Sequence, residues 1–288
     1  MKILILGSGF IGKSLNNYFS NKEAMTSVAS RSTRVGDKYF DLFDESTIRS
    51  LIDSVNPDVV VNTVWNTELS TYVMSPLNSE YAAANIKLGE ICIEKGVRHL
   101  ISFGTSAEYG ENPGACDSDL TPCQPESIYA KSKFSAYQTL AKMYRHSILR
   151  FTWVRLFQPY GKYQDASRFI PNLIQTLRNG QEVELDNPNT QLDWISSLDV
   201  ARAVDFVIKN ETPVAIDLGS SRPVYNFEVL NMVKESLGLP LRTIESSVSS
   251  LNGTSRFVSS QSFLLQSWSP ELSLPNGLQR LVCELEKN

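Results

Sequence analysis

Histidine is nearly missing from this 288-residue chain: only His99 and His146 occur. Triads built on an imidazole base, and His-rich metal sites, have little material here. Cysteine is sparse as well. Cys92, Cys116, Cys123 and Cys283 show neither C-x-x-C pairing nor metal-ligand spacing, so reduced thiols and no metal site are expected. No charge sign dominates: 27 Lys and Arg against 31 Asp and Glu leave a net charge of −4. That balance argues against a general nucleic-acid binder and against an anionic membrane surface as partner. Long apolar runs are lacking too. The opening Ile3-Leu4-Ile5-Leu6 is too short for a signal peptide or a membrane span and reads as a buried strand, so a cytoplasmic protein is expected. What remains, at 42% hydrophobic and 20% charged residues, is an ordinary globular chain. It is long enough for one large α/β domain, or one domain plus a smaller lobe.

Strand and helix signals alternate through the first half. A strand over 2–6 runs into Gly7-Ser8-Gly9-Phe10-Ile11-Gly12, followed by a helix over 10–19 and a strand over 25–29. The β-branched stretch 58–63 follows Pro57 and has the composition of a buried parallel strand. A helix over 80–95 stops at Gly96, and a strand over 100–103 enters an irregular loop reaching 128. A helix over 129–145 and a strand over 148–156 come next. This alternation predicts a parallel sheet with helices on both faces. The second half is less regular, with helices over 169–179, 198–209 and 226–237 and a strand over 214–218. The Ser- and Thr-rich stretch 243–262 reads as irregular. The expected division is a nucleotide-binding domain over 1–160, with 190–215 returning to it, and a substrate lobe from 161–189 and 216–288.

Gly7, Gly9 and Gly12 follow a strand and open a helix, the context in which G-x-G-x-x-G binds a dinucleotide. Such a site needs a tight turn, close approach of backbone to pyrophosphate, and phosphate at a helix N-terminus. After the second strand the chain reads Ser30-Arg31-Ser32-Thr33-Arg34, with no carboxylate. Guanidinium recognises phosphate well, so Arg31 and Arg34, with Ser30 and Ser32, favour NADP(H) over NAD. A solvated basic loop is the plainer alternative. Asp41-Leu42, ending the next extended run, is either an adenine-edge contact or an exposed loop pair. Tyr129 and Lys133 are four residues apart, so on a helix they share a face. An ammonium beside a phenol stabilises the phenolate and lowers a pKa that is otherwise about 10, so the pair can hand a proton to a carbonyl. The alternative is a solvated helical pair; the upstream dinucleotide turn favours the catalytic reading.

Further segments line up in order along the chain: Asn62-Thr63-Val64, Asn85, Phe103-Gly104-Thr105-Ser106-Ala107-Glu108-Tyr109-Gly110, and Tyr129-Ala130-Lys131-Ser132-Lys133. Arg155-Leu156-Phe157-Gln158-Pro159-Tyr160-Gly161, Asp193-Trp194-Ile195 with Leu198-Asp199-Val200-Ala201, and Trp268-Ser269-Pro270 complete the set. Together with Gly9-Phe10-Ile11-Gly12 and Asp41-Leu42, they make almost the whole chain resemble the extended short-chain dehydrogenase/reductases. These are the NAD(P)-dependent sugar-nucleotide epimerases, dehydratases and reductases.

The resemblance implies a Rossmann-like doubly wound parallel sheet with a smaller C-terminal α/β substrate-binding lobe. It implies cofactor contacts from Gly7, Gly9, Phe10, Ile11, Gly12, Asp41, Leu42, Asn62, Thr63, Val64, Tyr129 and Lys133. Thr105 takes the catalytic Ser/Thr role beside Tyr129 and Lys133, while Ser106 and Arg256 join Thr105 in the substrate site. A homodimer through the helices over 80–95 and 129–145 is implied as well. Two departures matter for the reaction. Leu192 stands where many members carry a diphosphate-binding Arg, and Ser106-Ala107 stands where dehydratases carry Asp-Glu. The expected activity is NADPH-dependent reduction of a nucleotide-linked 4-keto-6-deoxy sugar. Tyr129 acts as general acid, Lys133 depresses its pKa, and Thr105 hydrogen-bonds the carbonyl oxygen. A redox-neutral NAD-dependent sugar-nucleotide epimerase and a non-catalytic NADP-sensing regulator stay open.

Overall fold

Four apolar residues without a polar interruption make β1 (Lys2–Leu6) a strand buried on both faces. The computed structural model describes residues 1–22, 24–31, 37–69, 71–111, 113–241 and 255–286. After β1 come α1 (Phe10–Phe19), β2 (Met25–Ser30), β3 (Lys38–Tyr39), α2 (Glu45–Val55), β4 (Val59–Asn62), α3 (Leu77–Glu94) and β5 (His99–Thr105). A 3₁₀ turn at Ser106–Tyr109 leads to β6 (Gly114–Cys116), α4 (Ile128–Arg145), β7 (Arg150–Leu156), β8 (Gln158–Tyr160) and α5 (Phe169–Arg178). The remainder is β9 (Gln191–Ser196), α6 (Ser197–Lys209), β10 (Ala215–Leu218), β11 (Pro223–Tyr225), α7 (Asn226–Ser236), β12 (Ser255–Val258), α8 (Phe263–Ser267) and α9 (Leu274–Glu286).

Seven parallel strands form the larger sheet in the order β10-β7-β5-β4-β1-β2-β3. The order runs outward from β1 in both directions, so a crevice opens at the C-terminal ends of β1 and β4. On one face α1 and α6 bury Leu15, Phe19, Val200 and Val204 against Ile3, Ile5 and Val61. On the other, α2, α3 and α4 bury Ile48, Leu88 and Leu140 against Leu4, Leu6 and Val60. The smaller sheet runs β11-β9-β12-β6, with β8 pairing β9. Beside it, α5, α7 and α9 close a separate core containing Leu173, Trp194, Val233 and Leu281. Asp193 ties this region together. Fully buried on β9, its carboxylate accepts from the backbone N–H groups of Ser220 (2.6 Å), Ser221 (2.9 Å) and Val258 (3.0 Å).

The doubly wound α/β fold is as expected, and several elements differ from the sequence-derived ones. α2 is an addition, although Ile48, Leu51, Ile52 and Val55 form its buried stripe and Asp44 caps it by accepting from the Ser46 N–H. The stretch 243–262 is not irregular throughout: Ser255–Val258 is a strand, because β6 and β9 supply its backbone partners. The part over 242–254 lies outside the described residues. The loop reaching 128 contains the 3₁₀ turn and β6. The returning segment splits: β9 stays in the smaller sheet, while β10 pairs β7 in the larger one, so the return extends from 215 to 218. Among the described residues no helix is long and apolar enough to cross a membrane.

Candidate active site

The glycine turn divides its work among three positions. Gly7 adopts φ +101°, a conformation L side chains rarely reach, and its N–H bonds the Ala29 carbonyl at 2.8 Å. A Cβ at Gly12 would overlap the Gly7 carbonyl oxygen, so this glycine lets α1 sit close under the turn. At Gly9 a Cβ would meet nothing within 4 Å. That open face, at the N-terminus of α1, fits a pyrophosphate. Ile11 packs into the sheet core and Phe10 borders Gly161.

A cleft of about 300 Å³ lies beside the turn and is lined by Gly7, Ser30, Arg31, Asp41, Leu42 and Val64. The structure thus brings six of the expected cofactor residues to one place. Phe40, Phe43 and Tyr81 complete the wall with apolar surface suited to a flat base. Ser32 and Arg34 lie outside the described residues. Asn62 and Thr63 support the cleft from behind. Asn62, 2% exposed, accepts from the Val64 N–H at 3.0 Å and donates to Asn85, while the Thr63 hydroxyl bonds the Leu6 carbonyl at 2.8 Å. Asn62, expected among the cofactor contacts, is here held by Val64 and Asn85 at the end of β4.

Tyr129 and Lys133 lie on one face of α4, whose first turn is capped by Ser127 accepting from the Ala130 N–H at 3.1 Å. Lys133 does not point its ammonium at the phenol. It donates to the Phe103 carbonyl at 2.6 Å and lies 4.4 Å from the Trp65 ring centroid. Burial brings its pKa down to about 7, with the Glu108 carboxylate pulling the other way. Burial, then the neighbouring Tyr72, pushes the Tyr129 phenol above its ordinary value, while a hydrogen bond from the Thr105 side chain holds it down. The expected depression by Lys133 is therefore corrected: in this geometry the amine serves a backbone carbonyl.

Thr105 ends β5 and caps the 3₁₀ turn, its hydroxyl accepting from the Ala107 N–H at 3.3 Å. Its role as a turn cap and its contact with Tyr129 coexist. Ser106 is buried within the turn at 4% exposure. Glu108 is fully buried and bonded to Arg155, which keeps it out of the cleft. Arg256, on β12 in register with Leu192 on β9, donates to the Gly110 carbonyl at 2.7 Å.

Three residues absent from the sequence reading join this group. Trp65 and Tyr72 approach Tyr129 edge-on, with centroids 6.4 and 5.0 Å away. Arg168, at the start of α5, lies 5.3 Å from the Tyr72 ring centroid and donates to the Thr67 carbonyl at 2.7 Å. Nothing in their spacing points to α4; only the fold brings them there.

Residues 3–219 match the model of the NAD dependent epimerase/dehydratase family. The UDP-glucose 4-epimerase of Streptococcus mutans is 24% identical over 274 residues, covering 83% of this chain and 82% of that protein. The structure of a Thermus thermophilus UDP-glucose 4-epimerase in complex with NAD superposes with a TM-score of 0.86 at 21% identity, covering 99% of both chains. A dTDP-glucose 4,6-dehydratase from Bacillus anthracis, in complex with NAD, gives a TM-score of 0.84 at 21% identity, covering 100% of this chain and 97% of that one. At these identities the two structures speak for the fold.

Proposed function

The chain belongs to the NAD dependent epimerase/dehydratase family, and from that premise we propose an NADPH-dependent reductase of a nucleotide-linked 4-keto-6-deoxy sugar. A nicotinamide nucleotide is the cofactor of this enzyme type. The observation that carries the NADP(H) reading is Arg31, which lines the cleft beside Ser30 where β2 ends without a carboxylate. A guanidinium there suits a 2′-phosphate. Net reduction consumes a reduced cofactor at every turnover, and cells maintain NADPH for that purpose.

Gly7, Gly9 and Gly12 would hold the pyrophosphate, Asp41 and Leu42 the adenine, and Lys133 the nicotinamide ribose. When bound, this cofactor supplies the hydride. Tyr129 delivers a proton to the C4 oxygen; its raised pKa keeps the phenol protonated, as a general acid must be. The Thr105 hydroxyl donates to the same oxygen as negative charge develops. Arg256 and Arg168 supply cationic charge for the substrate's diphosphate, where Leu192 offers none. Dehydration is disfavoured because Ser106 and Ala107 carry no carboxylate and Glu108 is buried against Arg155.

A redox-neutral sugar-nucleotide epimerase is the second reading, supported by the likeness to UDP-glucose 4-epimerases, one of them in complex with NAD. The two separate cleanly. Copurifying NAD that survives dialysis speaks for epimerisation, whereas NADPH oxidation with a panel of nucleotide-linked 4-keto-6-deoxy sugars speaks for reduction. A non-catalytic regulator is disfavoured by the joint presence of Thr105, Tyr129 and Lys133. We also propose a cytoplasmic homodimer pairing through α3 and α4, with Ile86 and Phe134 as interface candidates. Ile91 and Leu140 are fully buried in the monomer core. Light scattering that returned a single-chain mass at micromolar concentration would reject the dimer.

A further inference from the structure

Behind the 3₁₀ turn lies a charged cluster that the proposed reaction does not use. Glu108, Arg155 and Asp217 are 0%, 2% and 1% exposed. They come from the turn, β7 and β10, and Asp217 stands directly opposite Arg155 in the strand register. Arg155 Nε donates to Glu108 at 2.8 Å, and Arg155 Nη1 donates to the Tyr109 hydroxyl at 3.2 Å. Tyr109 in turn donates to the Asp217 carboxylate, 2.8 and 3.0 Å from its two oxygens. Arg155 faces two carboxylates, and the buried Lys133 amine, brought down to about 7, lies within electrostatic reach of Glu108. With Lys133 neutral and the other three groups ionised, the cluster holds a net negative charge away from water, which burial penalises; one added proton makes it neutral.

The bonding decides which carboxylate takes that proton. Glu108 accepts from Arg155, from Trp153 Nε1 at 3.0 Å and from the Thr105 N–H at 2.9 Å. Among the described residues, the Asp217 side chain has Tyr109 as its hydrogen-bond donor. Burial pushes Asp217 up to about 7, Arg155 pulls it down, and Asp117 and Glu108 push it further up. The nearby Cys116 and Cys123 thiols are raised by burial to about 12 and about 11 and stay neutral through this range.

We propose that Asp217 is a positioning residue for Thr105, acting by proton uptake through Tyr109, Arg155 and Glu108. The proposal rests on the reading of Thr105 as the carbonyl-binding hydroxyl. With Asp217 ionised, the Tyr109 hydroxyl donates a hydrogen bond to the carboxylate and accepts one from Arg155. A protonated Asp217 offers its own proton to that phenol oxygen and competes with Arg155 for it. Tyr109 and Glu108 end the turn that Thr105 caps, and Glu108 holds the Thr105 N–H. The change is thus delivered to the residue that orients the substrate oxygen.

Infrared titration of the full chain, wild type against Asp217→Asn, reads the protonation; steady-state turnover over the same pH range reads the coupling. The wild type should show a protonated-carboxyl C=O band that fades as pH rises through about 7, and Asp217→Asn should lack it. The kcat of Asp217→Asn relative to wild type should change severalfold across the same interval, with cofactor KM unchanged. In a Tyr109→Phe background, which keeps the carboxyl but cuts the link, Asp217→Asn should produce no pH-dependent change. Absence of the band below the transition overturns the proton uptake. A band accompanied by a pH-independent kcat ratio overturns the coupling. Thr105→Ala at wild-type turnover would instead remove the underlying reading of Thr105, leaving the infrared result intact.

Discussion

The Lys133 ammonium lies 2.6 Å from the Phe103 carbonyl oxygen and 5.5 Å from the Tyr129 ring centroid. The amine is a buried tie between α4 and the end of β5, and its pKa falls from an ordinary 10.5 to about 7. Between those values the unfolded chain binds the extra proton, so this group makes stability rise with pH from about 7 to about 10.5. Lys133→Met lacks that contribution. Its stability relative to wild type should be greatest near neutrality and fall as the solution becomes alkaline. Thermal unfolding of both proteins across the interval checks this; a difference that stays flat with pH would show that Lys133 is not desolvated.

The proposed preference for NADPH rests on Arg31. Arg31→Ala should weaken NADPH binding by about 1.5–3 kcal/mol, the worth of a hydrogen bond to a charged group, and barely touch NADH. Titration calorimetry with both nucleotides makes the comparison. Equal affinity of the unaltered protein for the two would overturn the NADP(H) assignment and strengthen the epimerase reading.

Among the described residues, Arg155 is the cation bonded to Glu108 in the cluster behind Thr105. Arg155→Met strands the Glu108 carboxylate in the interior, and breaking a buried pair from one side costs about 3–5 kcal/mol. Urea unfolding should report a loss of that size at neutral pH. A loss no larger than a surface ion pair, about 0–1 kcal/mol, would mean that water reaches the cluster.

The sequence made legible what depends on local pattern. The glycine turn, the strands over 2–6 and 58–63 and the helix bearing Tyr129 all declared themselves by periodicity or punctuation, and the fold has them within a few residues. Gly7, Arg31 and Asp41, expected together from short motifs beside strand ends, do line one cleft. What stayed hidden depends on distant partners. β12 is four residues in a Ser-rich stretch, and its backbone partners come from β6 and β9. Tyr72 reaches Tyr129, and Arg168 reaches Tyr72, across chain separations that no spacing rule spans. The expected lowering of the Tyr129 pKa by Lys133 misses for the same reason: sharing a helix face fixes direction, but the Phe103 carbonyl decides where the ammonium rests.

Proton delivery by Tyr129 is the central claim, and one comparison tests it most directly. Turnover of a nucleotide-linked 4-keto-6-deoxy sugar with NADPH is measured for wild type and Tyr129→Phe, with cofactor binding and unfolding followed in parallel. The variant loses one hydroxyl and should keep its fold and its affinity for the cofactor. Its rate should drop roughly 10²–10⁴-fold, the usual contribution of a positioned general acid. A Tyr129→Phe enzyme that reduces its ketone at the wild-type rate would contradict the account.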